Sequence, residues 1–464
     1  MELQKENKMG YMPVNKLLLS MSLPIMISML VQAMYNVVDS IFVAMINENA
    51  LTAVSLAFPI QSLMISVAVG MGVGINAVLS KSLGEKNSEK VNKTASNGVF
   101  LAVISYLIFL VAGLTVTVPF YTSQTADAEI LQYGKQYLTI VCVASLGIFI
   151  QVTFERMLQS TGKTIFTMIT QGTGAIINII LNPILIFGLF GMPQMGVTGS
   201  AVATVVGQTV AGILAVIINH KVNSEIELNL KGFRPDKNII RQIYAIGIPS
   251  IVMQAMGSLM TYGLNLILIS FTATATAVLG VYFKLQSFIF MPVFGLNNGM
   301  IPIIAYNYGA GKSDRLVKTV KLSIIYSTIL MAIGFFIFQI FPHTLFRWFK
   351  ASESMFFIGV PALRIISISF LLAGFCIICV SVFQALGNGI YSMVISLARQ
   401  LIVLLPAAYL LSKLGNVNYV WWAFPIAEIM SFILSAFFLI RIYRKVIKNI
   451  GGKGKYDDIR GPQE

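Results

Sequence analysis

Charge is what this sequence has least of: 11% of its 464 residues are Asp, Glu, Lys or Arg, less than half the share in a soluble globular domain. A chain so poor in charge cannot cover itself with a water-facing surface, which excludes a soluble enzyme or a disordered scaffold. Cysteine is also scarce. Its three residues, Cys142, Cys376 and Cys379, all fall in apolar runs, which excludes a disulfide framework. Cys376-Ile-Ile-Cys379 has redox spacing but reads there as two small apolar residues. The two histidines, His220 and His343, lie in separate loops without carboxylate or thiol partners at metal spacing, so a membrane metalloenzyme has no ligands. Paired acids near one interface, which an embedded transferase needs, are missing as well. Gly309-Ala-Gly-Lys-Ser313 is no phosphate loop, because Tyr306 stands where that loop requires glycine. No enzyme activity and no cofactor is expected.

What is abundant is apolar: 56% of the residues, with a mean hydropathy of +0.81. Apolar runs recur at about 17–46, 51–80, 95–118, 136–160, 164–190, 195–219, 239–271, 275–307, 318–341, 355–386, 389–413 and 418–443. Each is long enough to cross hydrocarbon as a helix, giving twelve spans. The net charge of +14 does not imply nucleic acid, because 25 of the 32 basic residues fall in alternate loops and the two tails. The positive-inside rule then places both termini in the cytoplasm of a multi-pass inner-membrane protein, with anionic lipid as the basic residues' partner. The first span has no cleavage site, so no removable signal is expected. The last residues read as a disordered tail.

An internal repeat holds one register, 225 residues, over most of the chain. Pro24 matches Pro249, FPIQS at 58–62 matches FKLQS at 283–287, and Gly70, Gly74 and Gly84 match Gly295, Gly299 and Gly309. Gly134 matches Gly359, and Gln159 and Gly162 match Gln384 and Gly387. Equivalent positions are an even number of spans apart, so the halves share one orientation. The expected fold is all-α integral membrane: twelve transmembrane helices as two six-helix bundles related by a pseudo-twofold along the membrane normal. The expected units are 1–220, a cytoplasmic linker at 221–238, a second bundle at 239–445 and a cytoplasmic tail at 446–464. Gly70-x-Gly72-x-Gly74 reads as a site of close helix packing.

Asp39 is the conspicuous exception in the first span. A carboxylate at membrane depth costs about 2.5–3.5 kcal/mol on insertion scales, so it is expected to face protein or a wet cavity. Gln32, Tyr35, Asn36 and Asp39 form one polar stripe. Gln254, Ser258, Thr261, Tyr262 and Asn265 form a similar one in the second half, where Leu264 stands opposite Asp39, and both stripes are expected to line the cavity or meet substrate. At about 1.5 Å per residue, Asp39, Asn182 and Thr204 reach one level, with Asn178 just beneath. Such a site holds either Na⁺ or a proton. Glu428, Lys284 and Arg399 share a depth in the second half; structural pairing is expected, with a role for Glu428 in cation recognition as the alternative. Glu155 and Arg156 read as a helix-end ion pair or lipid contact rather than a substrate site.

Pro24 with Asp39, NIILNP at 178–183, GSAVAT at 199–204 and the Q-x-x-G turns, set in a twelve-span duplication, resemble the multidrug and toxic compound extrusion (MATE) family, nearest its DinF-like branch. The resemblance implies alternating-access export of organic cations and amphipathic drugs, small-molecule partners exchanged for H⁺ or Na⁺. The coupling site maps onto Asp39, Asn178, Asn182 and Thr204, and the hinge onto Pro24. Asn182 departs from the family, which commonly has Asp before that proline; one carboxylate fewer inclines the reading to H⁺. The alternative is a lipid-linked sugar flippase of the same superfamily, whose cavity would be basic. A monomer is expected.

Overall fold

Asparagine, aspartate and hydroxyl side chains start several of the helices, because the first backbone N–H groups of a helix lack partners within it. Asn47, Asn87, Asp127, Asp236, Thr272 and Ser352 each accept from an N–H of the helix that follows. The computed structural model describes residues 6–228, 232–349 and 351–450. The first half runs α1 (Lys8–Tyr11), α2 (Val14–Ala44), α3 (Glu48–Gly84), α4 (Ser88–Thr115), α5 (Thr117–Gln124), α6 (Ala128–Val143), α7 (Leu146–Ser160), α8 (Thr164–Phe187) and α9 (Val197–Val222). The second half runs α10 (Lys237–Ile269), α11 (Ala273–Gly309), α12 (Ser313–Ile340), α13 (Pro342–Trp348), α14 (Glu353–Ser367), α15 (Phe370–Ala385), α16 (Gly389–Leu397), α17 (Leu405–Ser412), α18 (Val417–Val420) and α19 (Ala423–Lys445).

Among the described residues ten apolar spans stand alone, and α6–α7 and α14–α15 make two more, bent by 43° and 51°. Twelve crossings in two six-helix bundles result. The part of the expected tail beyond residue 450 and linker residues 229–231 lie outside the described residues. One feature of the second half has no counterpart in the first: α16 passes into α17 through a π-helical stretch, Ala398–Leu404, whereas α8 is regular to Phe187.

The repeat is visible in backbone detail. Gly162 and Gly387 both take φ +82°, a left-handed conformation that glycine adopts without a Cβ clash. Each closes the same turn, with Lys163 N–H bonded to Leu158 O at 2.8 Å and Asn388 N–H to Phe383 O at 2.7 Å. Tyr121 lies flat against Gly134, and its mate Phe346 lies against Gly359.

The bundles meet through the same glycines, reciprocally. Gly74 of α3 abuts Ile243 O of α10, and Gly299 of α11 abuts Ser22 of α2. Gly84 faces Tyr306 O, and its mate Gly309 faces Lys81 O. This contact lies at the end of the molecule that carries the linker, and the N-terminal segment is threaded into it. Met9 is fully buried. Its carbonyl accepts from Asn307 Nδ2 at 3.1 Å and Arg315 Nη2 at 3.0 Å, while Asn7 Nδ2 donates to Thr161 O at 3.0 Å and Glu225 Oε1 at 2.7 Å. Glu6 pairs with Lys312, which holds the Glu6 carboxyl below its ordinary value.

A Cβ added at Gly84 would sit 2.0 Å from Tyr306 O, a backbone atom that cannot turn aside. Gly84→Ala is expected to destabilise the protein by about 1–3 kcal/mol, the usual cost of overpacking. Gly280→Ala, with open space at that position, is expected to be close to neutral. Thermal unfolding of the two purified variants in detergent checks this.

Candidate functional site

Asp39 reaches across from α2 to α8 and α9. Its Oδ1 accepts from Asn182 Nδ2 at 2.6 Å and from Ser200 Oγ at 3.1 Å. The network continues downward, with Asn182 Nδ2 bonded to Asn178 Oδ1 at 3.2 Å and Asn178 Nδ2 to Thr204 Oγ1 at 3.1 Å. Asn178 and Asn182 lie one turn apart on α8, and Ser200 and Thr204 one turn apart on α9, so two ladders of polar groups face each other. Glycine makes this approach possible: Gly207 packs against Gly174 O, and Gly199 against Leu185 O. Asn182 Oδ1 is buried without a hydrogen-bond partner, a free lone pair beside the carboxylate.

The spacing argument put Thr204 level with Asp39, but Ser200 makes that contact. Thr204 lies a turn lower and pairs with Asn178. Sequence reasoning missed Ser200, although it stands in the same GSAVAT segment at helical spacing from Thr204. Depth counted from the ends of a span accumulates error when a helix is tilted, and one turn is the size of the discrepancy.

Below this network lies a cavity of about 200 Å³. Gln32, Tyr35 and Asn36 line it together with Asn178 and Thr204. Glu155 and Arg156 line it too, which overturns their reading as a helix-end ion pair or lipid contact. Both are buried and neither pairs with the other. Glu155 accepts from Gln151, Thr170 and Gln171 at 3.0, 2.8 and 2.7 Å, while Arg156 Nη1 donates to Gln159 Oε1 and, across the bundle contact, to Asn298 Oδ1, both at 2.8 Å. This crossing is bent by 43° between α6 and α7, a feature that apolar length alone does not reveal.

The second-half stripe stands apart from this. Gln254, Ser258, Tyr262 and Asn265 are exposed and Thr261 half-buried, and none lines either described cavity. Glu428 and Arg399 line a smaller cavity of about 60 Å³, joined by an ion pair at 3.2 Å. Lys284 is exposed and outside that pair. Glu428 Oε1 has no partner and is buried. Arg399 sits in the π-helical stretch, whose extra residue per turn shifts the side chains that follow. Pro24 is buried inside α2, which runs through it as one helix, with Ser28 Oγ donating to Pro24 O at 2.9 Å. Among the described residues no group of His, Cys, Asp and Glu is arranged to hold a metal ion.

The fold and these polar networks define a transport protein of the membrane. The MatE family model matches residues 24–184 and again 249–410, two copies whose starts are 225 residues apart, so the chain belongs to the MatE family. It is 28% identical over 432 residues to the multidrug export protein MepA of Staphylococcus haemolyticus, covering 93% of this chain and 94% of that one. To MepA of Staphylococcus aureus it is 26% identical, covering 90% and 91%. Among solved structures it resembles the outward-facing conformation of a multidrug resistance MATE family transporter of the MOP superfamily, at a TM-score of 0.90 and 22% identity, covering 97% of this chain and all of that one.

Removing Arg399 leaves Glu428 buried without its cation. Arg399→Ala is expected to cost about 1.5–3 kcal/mol, the worth of a hydrogen bond to a charged group. Arg399→Leu combined with Glu428→Leu is expected to recover most of it. Denaturation midpoints of the single and double variants decide the matter.

Proposed function

We propose that this protein is an ion-coupled antiporter that exports organic cations and amphipathic drugs across the cell membrane by alternating access. The observation that carries the reading is Asp39, a carboxylate held at 2.6 Å by Asn182 at the head of a polar network leading into the larger cavity. The export of drugs is what the names of the MepA relatives state of those proteins.

The units that move are residues 1–220 and 239–445, with the linker and both termini in the cytoplasm. The basic residues Lys163, Lys312 and Arg315 at the bundle contact support that orientation. On this reading the molecule is closed towards the cytoplasm by the glycine contacts and the N-terminal segment. Asp39, Asn178, Asn182, Ser200 and Thr204 form the coupling site, and Pro24 is where α2 bends as the site loads, because proline removes one helical hydrogen bond there.

The coupling ion is H⁺ in preference to Na⁺. A hard cation is held by converging oxygen lone pairs, whereas the groups nearest Asp39 Oδ1 are an amide N–H and a hydroxyl, both donating to it. The free Asn182 Oδ1 gives a protonated Asp39 an acceptor within the same network. One elementary charge crossing 100 mV supplies about 2.3 kcal/mol, enough for a single coupled proton to sustain a useful gradient. A flippase of the same superfamily is the weaker reading, since the larger cavity holds a buried acid where an anionic head group would require several bases.

Asp39→Asn is expected to abolish uphill ethidium efflux from proteoliposomes while leaving the unfolding temperature nearly unchanged. Imposed separately, a proton gradient should drive the unmodified protein and a sodium gradient should not. Undiminished efflux by Asp39→Asn would remove the basis of the coupling site.

A further inference from the structure

We propose that Glu155 is the binding site for the charged end of the transported cation, distinct from the coupling site at Asp39. The proposal rests on the export reading and supplies the residue that recognises the substrate.

Glu155 is 2% exposed, so its carboxylate has left bulk water, and a carboxylate there needs compensation. Its three side-chain donors, Gln151, Thr170 and Gln171, are all neutral. They satisfy the lone pairs but leave the charge. The one basic neighbour on the cavity wall, Arg156, attracts it through space but makes no hydrogen bond to it, its Nη1 being shared between Gln159 and Asn298. An acid and a base thus face one cavity without forming a pair. Such a wall orients a ligand: its positive end is drawn to Glu155 and repelled from Arg156.

The scaffold does not require an acid here. In the 225-residue register Glu155 corresponds to Val380, which occupies the same place in the other bundle's α15. Nor does the coupling network use it, since that runs from Asp39 through Asn182 and Asn178 to Thr204 without reaching α7. Cavity size then sets the ligand class. About 200 Å³ is smaller than the roughly 300–1,000 Å³ of sites that enclose a drug-sized molecule. It accommodates a quaternary ammonium or guanidinium group, with the apolar body lying along Ile25, Met29, Ile65, Val69, Ile148 and Val152. Shape selection is loose on such a wall and charge selection strict, which suits a carrier of chemically varied cations.

The probe is tetraethylammonium, whose charge does not depend on pH, competing with ethidium on the purified full chain in detergent and read by fluorescence anisotropy. Glu155→Gln keeps the side-chain volume and is expected to weaken tetraethylammonium binding at least tenfold, while Glu155→Asp recovers part of the loss. Glu48→Gln, at an exposed acid outside the cavity, is expected to change this binding less than threefold. Affinity of a folded Glu155→Gln protein within twofold of the unmodified protein overturns the proposal. A measurement on the unmodified protein covers the case in which that variant does not fold. Tetraethylammonium is expected to slow labelling of Glu155 by a hydrophobic carbodiimide, mapped by mass spectrometry, and equal labelling with and without it overturns the proposal. Uphill transport by Asp39→Asn would instead defeat the coupling reading and leave the Glu155 result standing.

Discussion

The arrangement depends on helix backbones from opposite bundles approaching closer than any side chain allows. Lipid is as apolar as leucine, so no hydrophobic force drives two transmembrane helices together; close van der Waals packing and polar bonds must do it, and both improve as the backbones near. Gly70, Gly74 and Gly84 of α3 and their mates Gly295, Gly299 and Gly309 of α11 supply that approach in pairs. Each half lends its second long helix to the first long helix of the other. The contact is extensive enough to hold one state, yet it is made of small, separable surfaces with few buried charges. On the alternating-access reading, an interface that parts during each cycle needs that combination. The N-terminal segment adds hydrogen bonds from both sides, through Asn7 to the first half and through Asn307 and Arg315 to the second.

On this duplicated frame the polar machinery is not duplicated. The repeat positions of Asp39, Glu155, Asn178 and Asn182 hold Leu264, Val380, Val403 and Ala407. The second half has its own ion pair, half-buried Arg399 with buried Glu428, beside a π-helical stretch absent from the first. Glycines and turns persist in both halves because every copy must fold and meet its sibling. Each buried charge stands in one half without a charged mate in the other, because a buried ion carries a cost that has to be offset by a task.

Much of this architecture was legible in the sequence, since the forces that set it act along the chain. Apolar length fixes a span, and a register shared by glycine, proline and glutamine exposes the duplication. The site was legible in part. Asp39 announced itself by its cost, and Asn182 by its place before Pro183. Thr204 and Ser200 could not be ranked, because one turn separates them and helix tilt is decided by packing. Glu155 was misread for a related reason. Counted from the nearest loop it stands at a helix end, and only the packing of Gln151, Thr170 and Gln171 around it shows that it lies in the interior.

On the proposed reading, placing recognition and coupling at separate groups in one bundle has an energetic consequence. A ligand shifts a two-state equilibrium only by the difference in its affinity for the two states. Arg156 is the natural source of that difference, because one of its partners, Asn298, belongs to the other bundle. An exporter must hold its cation while the bundles are parted at the linker end and give it up once they close there, and in the closed state Arg156 is fixed to Asn298 across the contact with its positive charge on the cavity wall. Repulsion from that fixed guanidinium lowers the affinity for a cation in the closed state, so that release follows closure, while Asp39, on α2, sets which way the cycle turns.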